Sequence, residues 1–532
     1  MNIFWLITII VIYLGVIAYL GYLGYKNTTS LSDYMVGGRD THPFIMALSY
    51  GATFISTSAI VGFGGVASQF GMSLIWLVFC NIFLGIFIAF LFLGKRTRRM
   101  GVNMKAHTFP EFLGKRFNSN FIQWFSGSII FLFMPVYTAA VLIGASRIME
   151  SLLHVPYEYS VAIFSVIVAS YVIMGGLKGM MYNDALQGSL MFGGMLILLI
   201  FIYTKLGGVT SAHTQLAQLS DKVANNPVVQ KLATDGHQGW MSYPKAGSKL
   251  WWVIFSSLTL GVGVGVLSQP QLIVRFMTVK SNKELNRAVF IGALFLFVTV
   301  GTPYVLGALS NVYFHNEFGK IAIDMAGGNP DKVIPIFIEK AMPTWFSYLF
   351  MLVILSAAMS TLSALFHAIG TSAGRDIYQV LFPKVKKSPM LVTKVCIVFS
   401  IILTVFLSLR LGAGIIAKAT AIFYGITASC FLAPYVCSLF WKKVTRYGAI
   451  AGTVSGIVIS LFMFLFTLES TAAVFGVCQM LTGKTVLFEV LRYVDPVVFG
   501  LPVSALLTVV VSFFTKVKSE EYIAECFKGI EN

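Results

Sequence analysis

The chain reads as an all-α polytopic membrane protein of about 13 spans, and three observations carry that reading. Of its 532 residues, 57% are hydrophobic and only 11% are charged, whereas soluble domains run near 25% charged; mean hydropathy is +0.82. The apolar residues come in runs of roughly 20, the length that crosses a bilayer as a helix. Lys and Arg collect in the connectors between alternate runs, the bias that orients a membrane protein. The formal net charge of +17 does not mark a nucleic-acid binder, because the cations form no face or stripe.

A leader run at 3–23 opens the chain. It lacks the basic leading region of a signal peptide and is too long for one, so it is read as a retained span. Ten runs follow, at about 44–70, 73–94, 121–148, 159–176, 184–204, 250–274, 289–311, 343–368, 390–409 and 414–440. Two more, about 448–467 and 493–514, close the chain. An odd count puts the termini on opposite faces.

The basic connectors include Lys95, Arg96, Arg98 and Arg99; Arg275, Lys280 and Lys283; Lys384, Lys386 and Lys387; Lys442 and Lys443; and Lys516 and Lys518. The opposite connectors, notably 205–249 and 312–342, are longer and sparsely basic. This places the N-terminus outside and the C-terminus in the cytoplasm, with the plasma membrane between them. Within 312–342, the apolar patches 321–325 and 333–338 flank Gly327, Gly328 and Pro330. They suit either short helices folded over an outer vestibule or a plain solvated loop. The segment 108–117 reads as a basic amphipathic helix at the lipid surface. Cys80, Cys396, Cys430 and Cys437 lie in apolar runs and read as small core residues, not as disulfides or metal ligands.

Chemistry is expected where polar residues interrupt the apolar runs. Ser49-Tyr50-Gly51-Ala52-Thr53-Phe54-Ile55-Ser56-Thr57-Ser58 is rich in hydroxyls and small residues where lipid would select Leu and Ile. Such a segment at membrane depth must face protein or a water-filled cavity. A helix broken there exposes unpaired carbonyls of the kind that coordinate Na+ near a bilayer midplane. Ser356-Ala357-Ala358-Met359-Ser360-Thr361-Leu362-Ser363 is read as the other half of the site. Ser360 and Thr361 point about 100° apart on a helix, so a cation beside it meets both hydroxyls, with the Ala357 carbonyl at the same level. Ala52 and Ile55 add carbonyls if the first core helix breaks there. Sodium is a hard, singly charged cation that neutral oxygens can hold. Close-packed helix faces select the same small residues, and composition leaves both readings open.

Asp184 is the one acidic residue expected within a span, and an ionisable group there is a functional-site candidate. It reads either as a carboxylate at a helix N-terminus or as a proton or cation relay on the inward path. A third segment, Gly261-Val262-Gly263-Val264-Gly265 leading to Ser268-Gln269-Pro270-Gln271, begins like a dinucleotide fingerprint. It lies inside a span and follows no strand, so that reading fails. It suits a second broken helix at the place corresponding to the first, and paired interruptions in two halves point to a transport site.

On Tyr34-Met35-Val36-Gly37-Gly38-Arg39, Gly175-Gly176 through Asp184 and Gln187, Gln269-Pro270 with Arg275-Phe276, and Ala357 through Ser363, the chain resembles the sodium/solute symporter family. Bacterial proline, pantothenate, sialic acid and sugar symporters belong to it, with the sodium/glucose and monocarboxylate cotransporters of animals. The resemblance implies a leucine-transporter-like five-plus-five inverted repeat in a single transporter domain. Its parts would be a leader span 1–25, a core 42–440, trailing spans 446–515 and a cytoplasmic tail 516–532. It implies a sodium site built from backbone oxygens of Ala52, Ile55 and Ala357 and hydroxyls of Ser360 and Thr361. In some members a second sodium uses the fifth-span acid and neighbouring hydroxyls, here Asp184, Ser360 and Ser363; where those members have another serine this chain has Ala364.

The substrate region departs from the family pattern. Phe54 stands where proline symporters carry an aspartate, only Gly and Val occupy 261–265, and no Arg or Lys falls in the middle of a core span. Sugar and sialic acid thereby recede. Ser56, Thr57, Gln269, Tyr137 and Tyr424 are the candidate pocket contacts, with helix packing the alternative for the tyrosines. The expectation is sodium-coupled symport of a small organic solute by alternating access, a monocarboxylate or pantothenate-like acid first and proline or another amino acid next. A proton-coupled carrier or a uniporter is the competing class. No nucleophile–base pair, metal cluster or phosphate loop suggests an enzyme, and no obligate protein partner is inferred.

Overall fold

The computed structural model describes residues 3–384, 389–412, 414–517 and 519–530; Lys386, Lys387 and Lys518 lie outside them. The described chain is helical, and its one β feature is an isolated bridge between Thr41 and Val279. Its principal helices are α1 (Ile3–Lys26), α2 (Pro43–Phe54), α3 (Ser58–Asn103), α4 (Phe109–Arg116), α5 (Asn120–Leu153), α6 (Tyr157–Lys205), α7 (Lys249–Ser268) and α8 (Pro270–Phe276). There follow α9 (Asn282–Phe318), α10 (Val333–Ala341), α11 (Thr344–Leu381), α12 (Pro389–Arg410), α13 (Ile416–Phe440), α14 (Arg446–Phe466), α15 (Val497–Phe514) and α16 (Glu520–Cys526).

Among the described residues, 11 helices are long and apolar enough to cross a membrane, two fewer than the apolar runs suggest. The differences lie at two places. The first core run is cut between α2 and α3, and its second part continues, through a kink at Gly71, into the run after it. The runs at 159–176 and 184–204 belong to one helix, α6, kinked at Gly176.

Burial sorts the helices into a centre and a periphery. In the most apolar stretch of α11, 89% of residues are buried, against 17% in α1. Helix α11 packs on α2, α5, α6 and α12, so it reads as the axis of the bundle. Helix α1 leans on α6 where a Cβ on Gly24 would stand 2.1 Å from the Gly179 Cα, so only glycine permits that approach. Helices α14 and α15 pair with each other outside the core.

Side-chain bonds gather the basic connectors on one face. Arg39 Nη2 donates to Ala106 O, Arg98 Nη1 to Lys280 O, Arg116 Nε to Ser438 O, and Tyr522 Oη to Lys115 O. On the opposite face, Trp240 Nε1 and Asn311 Nδ2 both donate to Ser68 O, and Asn226 Nδ2 donates to Asp324.

Helix α4 corrects the lipid-surface reading of 108–117. Phe109, Phe112 and Leu113 are fully buried, and so are Glu111 and Arg116, nearly so. Glu111 takes a two-pronged bond from Arg375 and an ion pair from Lys115. Burial alone would raise its carboxyl, but the contacts with His107, Arg375 and Lys115 hold it well below the usual carboxylate range. The polar face that suggested lipid headgroups faces protein carbonyls and Arg375 instead.

The 312–342 connector folds back as helices, with short helix Ala322–Met325 and α10 on either side of Pro330. It seats on the non-basic end of α3, where a Cβ on Gly65 would stand 2.0 Å from Pro330 O. Asp331 Oδ2 accepts the Gly414 N–H at 2.8 Å, tying the hairpin to the chain entering α13. Burial lifts the Asp331 carboxyl to about 6, opposed by bonds from Gly414 and Ile415 and by the charges of Arg147 and Lys418. The seated hairpin therefore binds a proton more tightly than an unseated one whose carboxyl titrates near 3.8. Its seating should strengthen as pH falls from 7.5 through 6 and level off below about 4. Spin labels at Lys332 and Arg410 are expected to give a narrower distance distribution at pH 5 than at pH 7.5. Asp331→Asn should remove that difference; an unchanged pH response would refute the assignment.

Candidate functional site

Helix α2 stops where the hydroxyl-rich stretch predicts. Ile55 leaves helical geometry at φ −87° and ψ 101°, and helix resumes as a wider-wound turn from Ser58. The last carbonyls of α2 thus lose their helical partners and carry the partial negative charge of a helix C-terminus. The second break falls at Gln269, with φ −73° and ψ 114°, between α7 and α8. It lies past the glycine run because Pro270 supplies no N–H and its ring disfavours helix at the residue before it. Thr41 N donates to Thr278 O at 3.1 Å, so the basic-side ends of the two broken helices are joined by backbone.

The hydroxyls of α11 meet the freed carbonyls of α2. Ser360 Oγ donates to Ala52 O at 2.9 Å and lies 3.3 Å from Ala357 O. Thr361 Oγ1 lies 3.3 Å from Thr53 O and 3.5 Å from Ile55 O. Ala52, Ile55, Ala357, Ser360 and Thr361 are all wholly buried. The five predicted residues share one locus, and the Thr53 carbonyl joins them. Oxygens held about 2.3–2.6 Å from a hard cation stand roughly 3.3–3.7 Å apart along the edges of an octahedral shell. The spacings observed are close to that, so a small monovalent cation fits after a slight expansion.

Asp184 departs from the helix N-terminus reading. It lies well past the Gly176 kink within α6, not at a helix N-terminus. Its Oδ2 accepts from Ser49 Oγ at 2.6 Å and pairs with Arg275 Nη2 at 3.1 Å, with both side chains buried. Arg275 Nε donates to Ser49 Oγ at 3.0 Å, Nη2 to Thr53 Oγ1, and Nη1 to Gln271 O at 2.7 Å. Arg275 therefore does not belong with the connector charges: it sits in the core, one residue past an apolar run that the break had shortened. Pro270 five residues upstream was the available signal. Ser363 Oγ donates to Ser360 O at 2.9 Å, within its own helix. Between Gln271, Arg275, His367 and Thr108 a cavity of about 20 Å³ opens, room for one water on the way to the basic face.

Helix α1 reaches the same site. Tyr13 Oη lies 3.0 Å from Ser356 Oγ, one residue before Ala357, and accepts from Gln187 Nε2 at 3.3 Å. Nothing in the leader run's apolar pattern marks that tyrosine.

Of the pocket candidates, Ser56, Tyr137 and Tyr424 are buried. Tyr137 packs edge-on to Tyr424, with ring centroids 5.4 Å apart. Gln269 joins through Thr427: its Nε2 donates to Thr427 Oγ1 at 2.7 Å, and Thr427 Oγ1 donates to Tyr424 O at 3.0 Å. Thr57 turns away and bonds Val141 O on α5, a packing contact. Gln269 is buried as well, and Ser56 and Gln269 stand at the two breaks.

A family model described as "Sodium:solute symporter family" matches residues 34–456. The osmoregulated proline transporter OpuE of Bacillus subtilis is 27% identical over 450 residues, covering 84% of this chain and 86% of that protein. The sodium/pantothenate symporter of Haemophilus influenzae is 25% identical over 488 residues, covering 89% and 95%. A sodium/proline symporter of Staphylococcus aureus is 26% identical over 485 residues, covering 89% of each. Among solved structures, a substrate-bound, outward-open Na+-coupled sialic acid symporter superposes with a TM-score of 0.72 at 19% identity, covering 96% of this chain and 97% of that one. MHP1, a nucleobase-cation-symport-1 family transporter in a closed conformation, gives 0.50 at 13% identity, covering 93% and 98%. These likenesses establish the leucine-transporter-like fold.

Two predictions follow from the buried contacts. Arg275→Met strands the Asp184 carboxylate in the core and should cost about 3–5 kcal/mol, while Asp184→Asn together with Arg275→Met should recover much of the loss. Thermal unfolding in detergent reads both; single losses that simply add in the double variant would mean the pair is not coupled. Tyr13→Phe should cost about 1 kcal/mol, and adding Ser356→Ala should cost less than the sum of the single losses. Strict additivity in the same assay would show that no bond joins them.

Proposed function

The chain belongs to the sodium:solute symporter family, and on that premise we propose that inward flow of sodium drives uptake of a small organic solute through it by alternating access. One contact supports this above others: the Ser360 hydroxyl rests on the Ala52 carbonyl across 308 residues of chain. It brings uncharged oxygens of a broken helix and of the central helix to one point without a carboxylate. Sodium is held there by the carbonyls of Ala52, Ile55 and Ala357 and the hydroxyls of Ser360 and Thr361. Its binding bridges α2 and α11, and a state that keeps both sets of oxygens at the ion is favoured by that difference in contacts. Asp184 and Ser363 mark the inward ion path, past the small cavity beside Arg275. Because Asp184 is already paired with Arg275, a proton relay through it has less support than sodium coupling.

The solute occupies the space between the breaks, with Ser56, Tyr137, Gln269 and Tyr424 as contacts. A compact acid with one carboxylate fits best, a monocarboxylate or a pantothenate-like acid. The helix resuming at Ser58 begins beside Ser56, which caps its Ala59 and Ile60 N–H groups, and the positive end of its dipole favours a carboxylate there without a side-chain cation. Proline or another amino acid is the second choice, in line with the relatives that are proline transporters. The chain is a multi-pass membrane protein, and we place it in the plasma membrane with its basic face and C-terminus cytoplasmic. Residues 42–440 form the transporting core, with 1–25 as leader, 446–515 as trailing spans and 516–532 as tail.

In proteoliposomes an inward sodium gradient alone should drive accumulation. Ser360→Ala and Thr361→Ala should each raise the half-saturating sodium concentration on the order of tenfold, since each removes one neutral oxygen. If both variants keep the original sodium dependence while Asp184→Asn abolishes coupling, protons and not sodium power the carrier.

A further inference from the structure

The end of α3 carries four cations, Lys95, Arg96, Arg98 and Arg99. Arg98 is committed to the fold: its Nε donates to Asn282 Oδ1 at 2.8 Å and its Nη1 to Lys280 O at 3.0 Å. The other three line a cleft of about 240 Å³ between α3, the start of α9, the end of α13 and the chain after α16. Among the described residues, no carboxylate lines it. Arg96 spends one donor on Leu439 O at 3.2 Å and lies over the Phe440 ring at 4.5 Å. Arg99 spends its Nε on Lys528 O at 3.3 Å. Each guanidinium has five N–H donors, so both keep several for a ligand.

The cleft is layered. Phe92, 54% exposed, and Phe440, 43% exposed, form its outer apolar edge. The cations begin about one helical turn beyond Phe92. The far wall is held in place: Asn103 Nδ2 donates to Cys526 O and to Lys528 O, and Tyr522 Oη to Lys115 O. An apolar ledge at the end of a span, with convergent cations just above it, has the order of chemistry found in a phospholipid: acyl chain, then phosphate. A soluble anion would use the cations and leave the exposed Phe92 ring unused.

We propose that this cleft binds the phosphodiester headgroup of an anionic phospholipid from the leaflet on the basic side. Lys95 and Arg99 grip the phosphate, Arg96 supports it from Phe440, and the first acyl-chain carbons lie on Phe92. Because the end of α3, the end of α13 and the tail all line the cleft, a bound lipid clamps them together and stabilises the folded protein.

The test is thermal unfolding of the full-length protein in detergent with added phosphatidylglycerol, phosphatidylcholine or inorganic phosphate, together with lipid binding by native mass spectrometry. Phosphatidylglycerol should raise the midpoint more than phosphatidylcholine, and phosphate alone should not. Lys95→Gln with Arg99→Gln should bind phosphatidylglycerol on the order of tenfold more weakly and lose most of its stabilisation. Lys280→Gln with Lys283→Gln, which removes the same charge from exposed positions on the same face, should keep both. Lys95→Gln alone reads the same shift if the double variant fails to fold. Equal loss in the two double variants would make the effect diffuse surface charge and overturn the proposal. Stabilisation by phosphate alone would overturn it in favour of a soluble anion.

Discussion

A broken helix inside a bilayer can persist only if its freed backbone groups find partners, and here that constraint organises the protein. The carbonyls at the end of α2 have no water to turn to. An unpaired buried carbonyl is costly, so some other part of the chain must meet it. The partners are Ser360 and Thr361 on α11. Helix α11 is the most deeply buried of the long helices, so the same contact that satisfies the break joins the first repeat to the axis of the bundle. A site that depends on oxygens from two elements can be made and unmade by moving one against the other, and alternating access needs that property.

Charge is used differently on the two sides of this contact. The site itself holds neutral oxygens, while its flank toward the basic face is locked by a buried ion pair. Arg275 reaches from α8 to Ser49 and Thr53 on α2 and to Asp184 on α6. Taking both charges out of water is expensive, and the pair is sustained by the hydroxyl and carbonyl bonds around it. Farther out, Arg98, Arg116 and Arg375 bind carbonyls and carboxylates of neighbouring connectors. The cations that set topology thus also cement the loops, and those left unspent around the end of α3 are free for a lipid phosphate.

Where the sequence did not disclose a residue's surroundings, one physical reason covers the cases: its neighbours in the chain are not its neighbours in space. Arg275 stands beside connector residues in sequence but beside Asp184 in space. The 108–117 helix has a polar stripe that suits lipid headgroups, but α4 turns that stripe toward Arg375 and the end of α13. Tyr13 sits in a run indistinguishable from a lipid-facing leader, yet its hydroxyl reaches Ser356 and Gln187. Thr57 has the same hydroxyl as Ser56, one residue away, and the turn between α2 and α3 aims it at α5.

The sequence by itself determined the membrane, the helical class, the two interruptions and the small set of oxygens between 52 and 361. These follow from transfer free energy and backbone chemistry, which act locally: apolar runs, glycine, proline and hydroxyl side chains carry them wherever they occur. Tertiary structure alone decided which oxygens meet, that Asp184 is neutralised by Arg275, that the hairpin around Pro330 seats on α3, and that cations at the end of α3 surround a cleft. Those outcomes depend on distances between segments hundreds of residues apart, and a one-dimensional pattern holds no such distances.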